Sequence, residues 1–143
     1  MKAFNCNFHV CEFANTSRST RNGFAHDTTL YIGGVEVGRA TCHYLNRTWE
    51  RYAYQTVMTK CVNSLILPVI ERARADWMEA RGYKRMSPRR RDEFAQWIEG
   101  HEPNELRTLA CLWEHVQNWG LMAPPYPEWY GHRPAAFDVR RYL

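Results

Sequence analysis

At 143 residues and 17.0 kDa the chain has the length of one domain, able to bury an apolar core without disulfides or a metal. Its composition, 45% apolar and 24% charged, is that of an ordinary globular protein, with a high 14% of aromatic residues that must enter the core or a contact surface. The net charge of +4 suits an anionic partner, falls short of the bias of a dedicated nucleic-acid binder and argues against an acidic DNA mimic.

In chain order, Phe4, Cys6, Phe8 and Val10 alternate with Asn5, Asn7 and His9, the period-two pattern of one half-buried strand. The run ANTSRSTRNG (14–23) has small polar residues, two arginines and no periodicity, and reads as a mobile loop whose arginines can reach a partner. Residues 27–45, DTTLYIGGVEVGRATCHYL, give two strands joined at Gly33-Gly34, a pair that tolerates the positive φ angles of a tight hairpin. Gly38 then shifts the apolar phase of the second strand, as a bulge does. In YLNRTWERYAYQTV (44–57) the strand hands over to a helix beginning at Tyr54. Asn46 can turn the chain there, Thr48 can cap a helical turn, and Trp49, Tyr52 and Tyr54 can plug the end of the sheet.

From Tyr54 the apolar residues Val57, Met58, Cys61, Leu65, Ile66, Val69, Ala73 and Trp77 recur at three and four, one face of a long helix ending at Gly82. Pro68 inside it predicts a kink or break near 64–68. SPRRRDEFAQWIEG (87–100) opens with a serine cap and a proline at the first helical position and closes on glycine, and PNELRTLACLWEHVQNWG (103–120) repeats the helical logic. The last twenty residues carry four prolines and five aromatics and read as an extended arm that must dock on something. Strands followed by helices predict an α+β fold: a three-stranded antiparallel sheet packed against a long kinked helix and two shorter helices. The single domain divides into a sheet region (1–53), a helical region (54–121) and the arm (122–143).

The N-terminus lacks the apolar stretch of a signal peptide, and LILPVI (65–70) is far shorter than the roughly 20 residues that cross a bilayer, so a cytoplasmic protein without a membrane partner is expected. Five cysteines without a CxxC pair fit a reducing compartment. Cys6, His9 and Cys11 lie close in sequence, but on one continuous strand Cys6 faces away from His9 and Cys11, so no metal or other cofactor is expected. Cys61 and Cys111 fall on apolar helix faces, where thiols are inert packing, and no hydrolase, metalloprotease, phosphate-loop or dinucleotide motif occurs, so the expectation is a protein without catalytic residues.

The strongest partner signal is RGYKRMSPRRRDE (81–93). Arg81, Lys84, Arg85, Arg89, Arg90 and Arg91 place six of the nineteen cations within eleven residues, around Tyr83. Guanidinium groups pair bidentately with phosphate or carboxylate, so this corner can grip nucleic acid or an acidic protein face. It reads equally as a solvated inter-helix loop. Arg47 and Arg51 add a second, polar cluster at the strand-to-helix corner.

LYIGGVEVGRATCHYLNRTWERYAYQTVM (30–58) resembles a segment of small uncharacterised proteins of phages and other mobile elements, in which a tight hairpin leads into an NRTWE motif and a helix. The resemblance spans about residues 27–66 and assigns no catalytic residue. It implies an accessory protein that binds a host nuclease or CRISPR ribonucleoprotein and inhibits it, with direct DNA or RNA binding through the 81–91 corner as the alternative.

Overall fold

The structure, a computed structural model, describes residues 2–122 and 136–143. The fold is α+β, with four antiparallel strands in the order β1-β2-β3-β4, β1 Lys2–Cys6, β2 His9–Thr20, β3 Gly23–Ile32 and β4 Val35–Tyr44. Three helices follow, α1 Glu50–Arg81, α2 Pro88–Glu99 and α3 Asn104–Met122. Among the described residues no helix is long and apolar enough to cross a membrane.

The sheet has one strand more than the sequence pattern suggests. The expected single strand over residues 4–10 is a hairpin: Cys6 pairs with His9, and Asn7 and Phe8 form its two-residue turn at φ 50° and 67°. The alternation of Phe4, Cys6, Phe8 and Val10 runs across this turn, which hides it. The expected loop 14–23 is also sheet, since β2 pairs with β3 from Cys11↔Ile32 to Thr20↔Gly23. Its threonines and serines are short and β-compatible, and backbone pairing with β3 replaces the missing apolar signal. Arg18 is consequently engaged, bonding Asp27 at 2.9 Å, and Asp27 also accepts from Thr41 at 2.6 Å on the solvent face.

The glycine and asparagine signals act at the positions expected of them. Gly33 and Gly34 take φ 59° and 81° in the β3–β4 turn, and the register shift beside Leu30 leaves Val37 as the extra residue of a bulge. Gly38 lies under α1, where an added Cβ would stand 3.2 Å from Leu65 Cδ1. Asn46 Oδ1 accepts from the Thr48 N–H at 2.9 Å and starts a 3-10 turn, Arg47–Trp49, so the helix begins at Glu50, four residues earlier than expected. Of the three aromatic plugs only Tyr54 lies against the sheet, stacked on His26; Trp49 and Tyr52 are exposed. Gly82 ends α1 at φ 69°, and the Tyr83 N–H returns to Met78 O at 2.9 Å, the paired closure of a left-handed helix end.

No break occurs at Pro68, and α1 runs unbroken for 32 residues. Proline removes one N–H, but both Pro68 and Ser64, whose carbonyl loses its partner, are on the exposed side, where water can satisfy that oxygen. The opposite side, Val57, Met58, Cys61, Val62, Ile66 and Ile70, is fully buried against β3, β4 and α3. Phe13 and Leu30 meet it from the sheet, Phe94 and Ile98 from α2, and Leu106, Leu112 and Val116 from α3. Much of the expected arm lies outside the described residues. Its end, residues 136–143, closes in a 3-10 turn, Val139–Tyr142, instead of staying extended throughout, and docks on its own chain. The Phe137 N–H bonds Glu114 Oε1 at 2.8 Å, the Tyr142 hydroxyl donates to Asn63 Oδ1 at 2.5 Å, and Val139 is buried.

Two positions test this packing. Gly23 sits at φ 155° with Tyr44 O only 2.6 Å from where a Cβ would be, so Gly23→Ala is expected to destabilise the domain by about 2 kcal/mol or more in urea titration. His26 is fully buried, with Nε2 donating to Glu50 O at 3.1 Å, its ring 3.6 Å from that of Tyr54 and 4.5 Å from that of Tyr44. Burial, opposed by the Glu50 carbonyl and the nearby Glu50 and Asp27 charges, holds its pKa below the ordinary 6.5. The unfolded chain therefore binds more protons between the two values. The His26 contribution is complete above about pH 6.5 and is lost as pH falls through the lower native pKa. Urea midpoints should fall between about pH 7.5 and about pH 5, and His26→Phe should flatten that slope.

Candidate partner-binding surface

The basic corner is built by two helix ends. Gly82 stops α1, Ser87 Oγ accepts from the Arg90 N–H at 3.2 Å to cap α2, and Pro88 takes the first helical position. Beneath the connection Trp77 is buried, with the Tyr83 ring edge-on at 5.5 Å and Phe94 at 5.4 Å. Arg81 lies over the rings of Trp77 at 4.6 Å and Trp97 at 5.7 Å, and donates to Trp77 O at 3.4 Å. Arg90 covers Tyr83 at 4.0 Å and donates to Arg85 O at 2.7 Å.

The six cations therefore have different duties. Arg81 and Arg90 are held on aromatic faces and brace the corner. Arg89, highly exposed, makes a 3.4 Å ion pair with Glu93 one turn away, a contact of small energetic weight. Lys84, Arg85 and Arg91 are exposed and have no side-chain partner among the described residues, so they are the cations a partner can claim. Tyr83, half-buried, has one face under Arg90 and Trp77 against it, an arrangement that does not favour stacking on a base.

Arg47 and Arg51 do not join this group. Arg47 lies over the Phe24 ring at 5.0 Å in the 3-10 turn, and Arg51 is in the first turn of α1. Thirty residues at 1.5 Å rise put Arg51 about 45 Å from Arg81 along the helix.

The sequence gives no warning of a second surface at the other turns of the sheet. A groove of about 500 Å³ opens between the β3–β4 end, the middle of α1 and the start of α3, with Ile32, Val37, Leu65, Pro68, Val69 and Leu109 in its wall. Apolar residues beside those wall residues in the chain are also exposed: Val35 at 63%, Leu67 at 41% and, at the β1–β2 tip, Phe8 at 105%. Phe8 is unusual on a second count, because its φ of 67° costs an L-residue about 1–2 kcal/mol where a two-residue turn favours glycine. Asn7 fixes the tip to α3, its amide donating to Thr108 Oγ1 at 3.2 Å and Asn104 O at 3.5 Å. The residue pair was visible, but recognising it required knowing that the chain turns there.

The same turn reverses the reading of the cysteines. Cys6 and Cys11 lie on neighbouring strands and face the core together, and both are buried. Cys111 and His115 meet them from α3, so that Cys6 Sγ, Cys111 Sγ and a His115 ring nitrogen all lie within 4.8 Å of one another. The hydrogen bond with Cys11, then burial, then Cys111 push the Cys6 thiol far above its ordinary pKa, and burial raises Cys61 to about 11. Neither is a thiolate nucleophile at neutral pH.

Side-chain roles at the corner separate in mutants. Lys84→Ala, Arg85→Ala and Arg91→Ala together should leave the urea midpoint unchanged, whereas Arg81→Ala alone should cost about 1 kcal/mol through loss of the two ring contacts.

No protein-family model, curated protein or solved structure matches this chain.

Proposed function

We propose that this chain is a non-enzymatic accessory protein of a phage or other mobile element that binds a host nucleic-acid-targeting defence complex, such as a CRISPR ribonucleoprotein or its nuclease, and inhibits it by occupancy. The origin rests on the likeness of residues 27–66 to mobile-element proteins. The observation that carries the binding reading is Phe8, a fully exposed aromatic ring held at a φ that folding alone would give to glycine, beside an apolar groove. Backbone strain that presents a side chain to solvent supports a contact role for that side chain. Aromatic anchors beside apolar grooves are the energetic centres of protein interfaces. Lys84, Arg85 and Arg91 supply the complementary contact for an acidic or phosphate-bearing face of the same partner.

The second reading is a direct DNA or RNA binder, and the three unpartnered cations are what favour it. Titrating the chain into target-cleavage assays with purified CRISPR effectors, alongside pull-downs with and without nuclease, separates the two. Inhibition near one equivalent, with the effector retained after nuclease treatment, is the expected result. Phe8→Gly should raise folding stability by about 0.5–1 kcal/mol while weakening the complex about tenfold, a combination that loss of structure cannot produce. Unchanged affinity would remove the Phe8 surface from the proposal, and capture of nucleic acid alone, lost with rising salt, would establish the second reading.

A further inference from the structure

Three segments far apart in sequence bring soft donor atoms to one point. Cys6 closes β1, Cys11 lies on β2 one diagonal step away on the same face, and Cys111 and His115 are four residues apart on α3, which packs against β1. Residues at that helical spacing share a face, so thiol and imidazole project together toward the hairpin. Cys6 Sγ, Cys111 Sγ and a His115 ring nitrogen lie within 4.8 Å of one another, and Cys11, paired with Phe4 two residues before Cys6, is a buried thiol on the same face of the hairpin. In a tetrahedral zinc site, bonds of roughly 2.3 Å to sulfur and 2.0–2.1 Å to nitrogen set the ligand atoms about 3.5–3.8 Å apart, within a small side-chain rotation of these positions. The imidazole is supported by Phe4, stacked on it at 5.4 Å and itself edge-on to Phe13 at 6.2 Å. The surroundings are apolar: Cys6, Cys11 and Phe13 are each at most 1% exposed.

We infer that Cys6, Cys11, Cys111 and His115 form a structural zinc site that clamps the β1–β2 hairpin to α3. Three thiolates and one imidazole suit Zn(II) among the biologically common cations, and a closed four-ligand set leaves no position for a reacting water. Zinc displaces the three thiol protons to solvent as it binds. The site fixes the hairpin two residues before Phe8, but it stands or falls independently of any partner.

Elemental analysis of the protein purified under reducing conditions tests the inference, together with Co(II) substitution of the wild-type chain. One zinc per chain is expected, and cobalt should give the intense charge-transfer absorption of thiolate ligands in a tetrahedral field. Cys111→Ser and His115→Ala, at half-buried positions on α3, should each lower zinc retention at least tenfold, while Cys42→Ser, on β4 outside the cluster, should retain it. Absence of zinc together with no cobalt–thiolate absorption overturns the site. Full zinc retention in Cys111→Ser and His115→Ala, or a disulfide at Cys6 in the reduced preparation, overturns it as well.

Discussion

Pro68 stands on the exposed side of α1, and the arrangement of the whole molecule depends on that placement. With the unpaired carbonyl of Ser64 facing water, the helix continues for 32 residues, about 48 Å, instead of folding back near its middle. Its first half covers the inner face of β3 and β4, where Gly38 admits Leu65 close to the strand. Its second half carries Trp77 to Phe94 of α2. A break at residue 68 would have returned the basic corner to the sheet. The unbroken helix holds it at the far end.

The β1–β2 hairpin makes the opposite choice, local strain in exchange for position. Asn7 and Phe8 occupy left-handed backbone, Asn7 is tied to Thr108 and Asn104, and Cys6 Sγ lies within 4.8 Å of Cys111 Sγ. Two anchorings to α3 within two residues over-determine the turn, which is the condition under which backbone strain persists. The turn is thus held from two sides, and the ring of Phe8 stands fully exposed at its tip.

Sequence legibility follows the range of the physics involved. Gly33-Gly34, Asn46, Gly82 and Ser87-Pro88 act within four residues of themselves, through φ angles and caps, and each lies where it was read. The turn at Asn7-Phe8 lacked glycine and preserved the apolar alternation, so pattern alone could not reveal it. Residues 14–20 form sheet on a polar stretch because they pair with β3, from Ala14↔Thr29 to Thr20↔Gly23, a tertiary cause with no local trace. Missing the first hairpin misplaced Cys11 on the wrong face. The metal-type cluster was lost with it, although the four-residue spacing of Cys111 and His115 stood in the sequence. At the basic corner, residue identities were legible, but which arginines are spent on Trp77, Trp97 and Tyr83 was not, because those rings converge only in the packed structure.

The distances along α1 decide which charged groups can serve one partner. A stable interface covers about 800 Å² on each side, a patch about 32 Å across. Pro68 in the groove wall and Arg81 at the corner are thirteen residues apart and lie within that span along the helix axis, about 20 Å. Arg51, about 45 Å from Arg81, does not. From Arg72 at the groove to the corner, with Glu71, Asp76 and Glu79 also exposed, α1 mixes both signs, and mixed charge selects register and rejects wrong partners more than it adds affinity. A protein surface with an apolar ridge at one end and an acidic or phosphate-bearing rim at the other satisfies this layout. A uniform phosphate backbone would meet three carboxylates on its way from the corner to the groove.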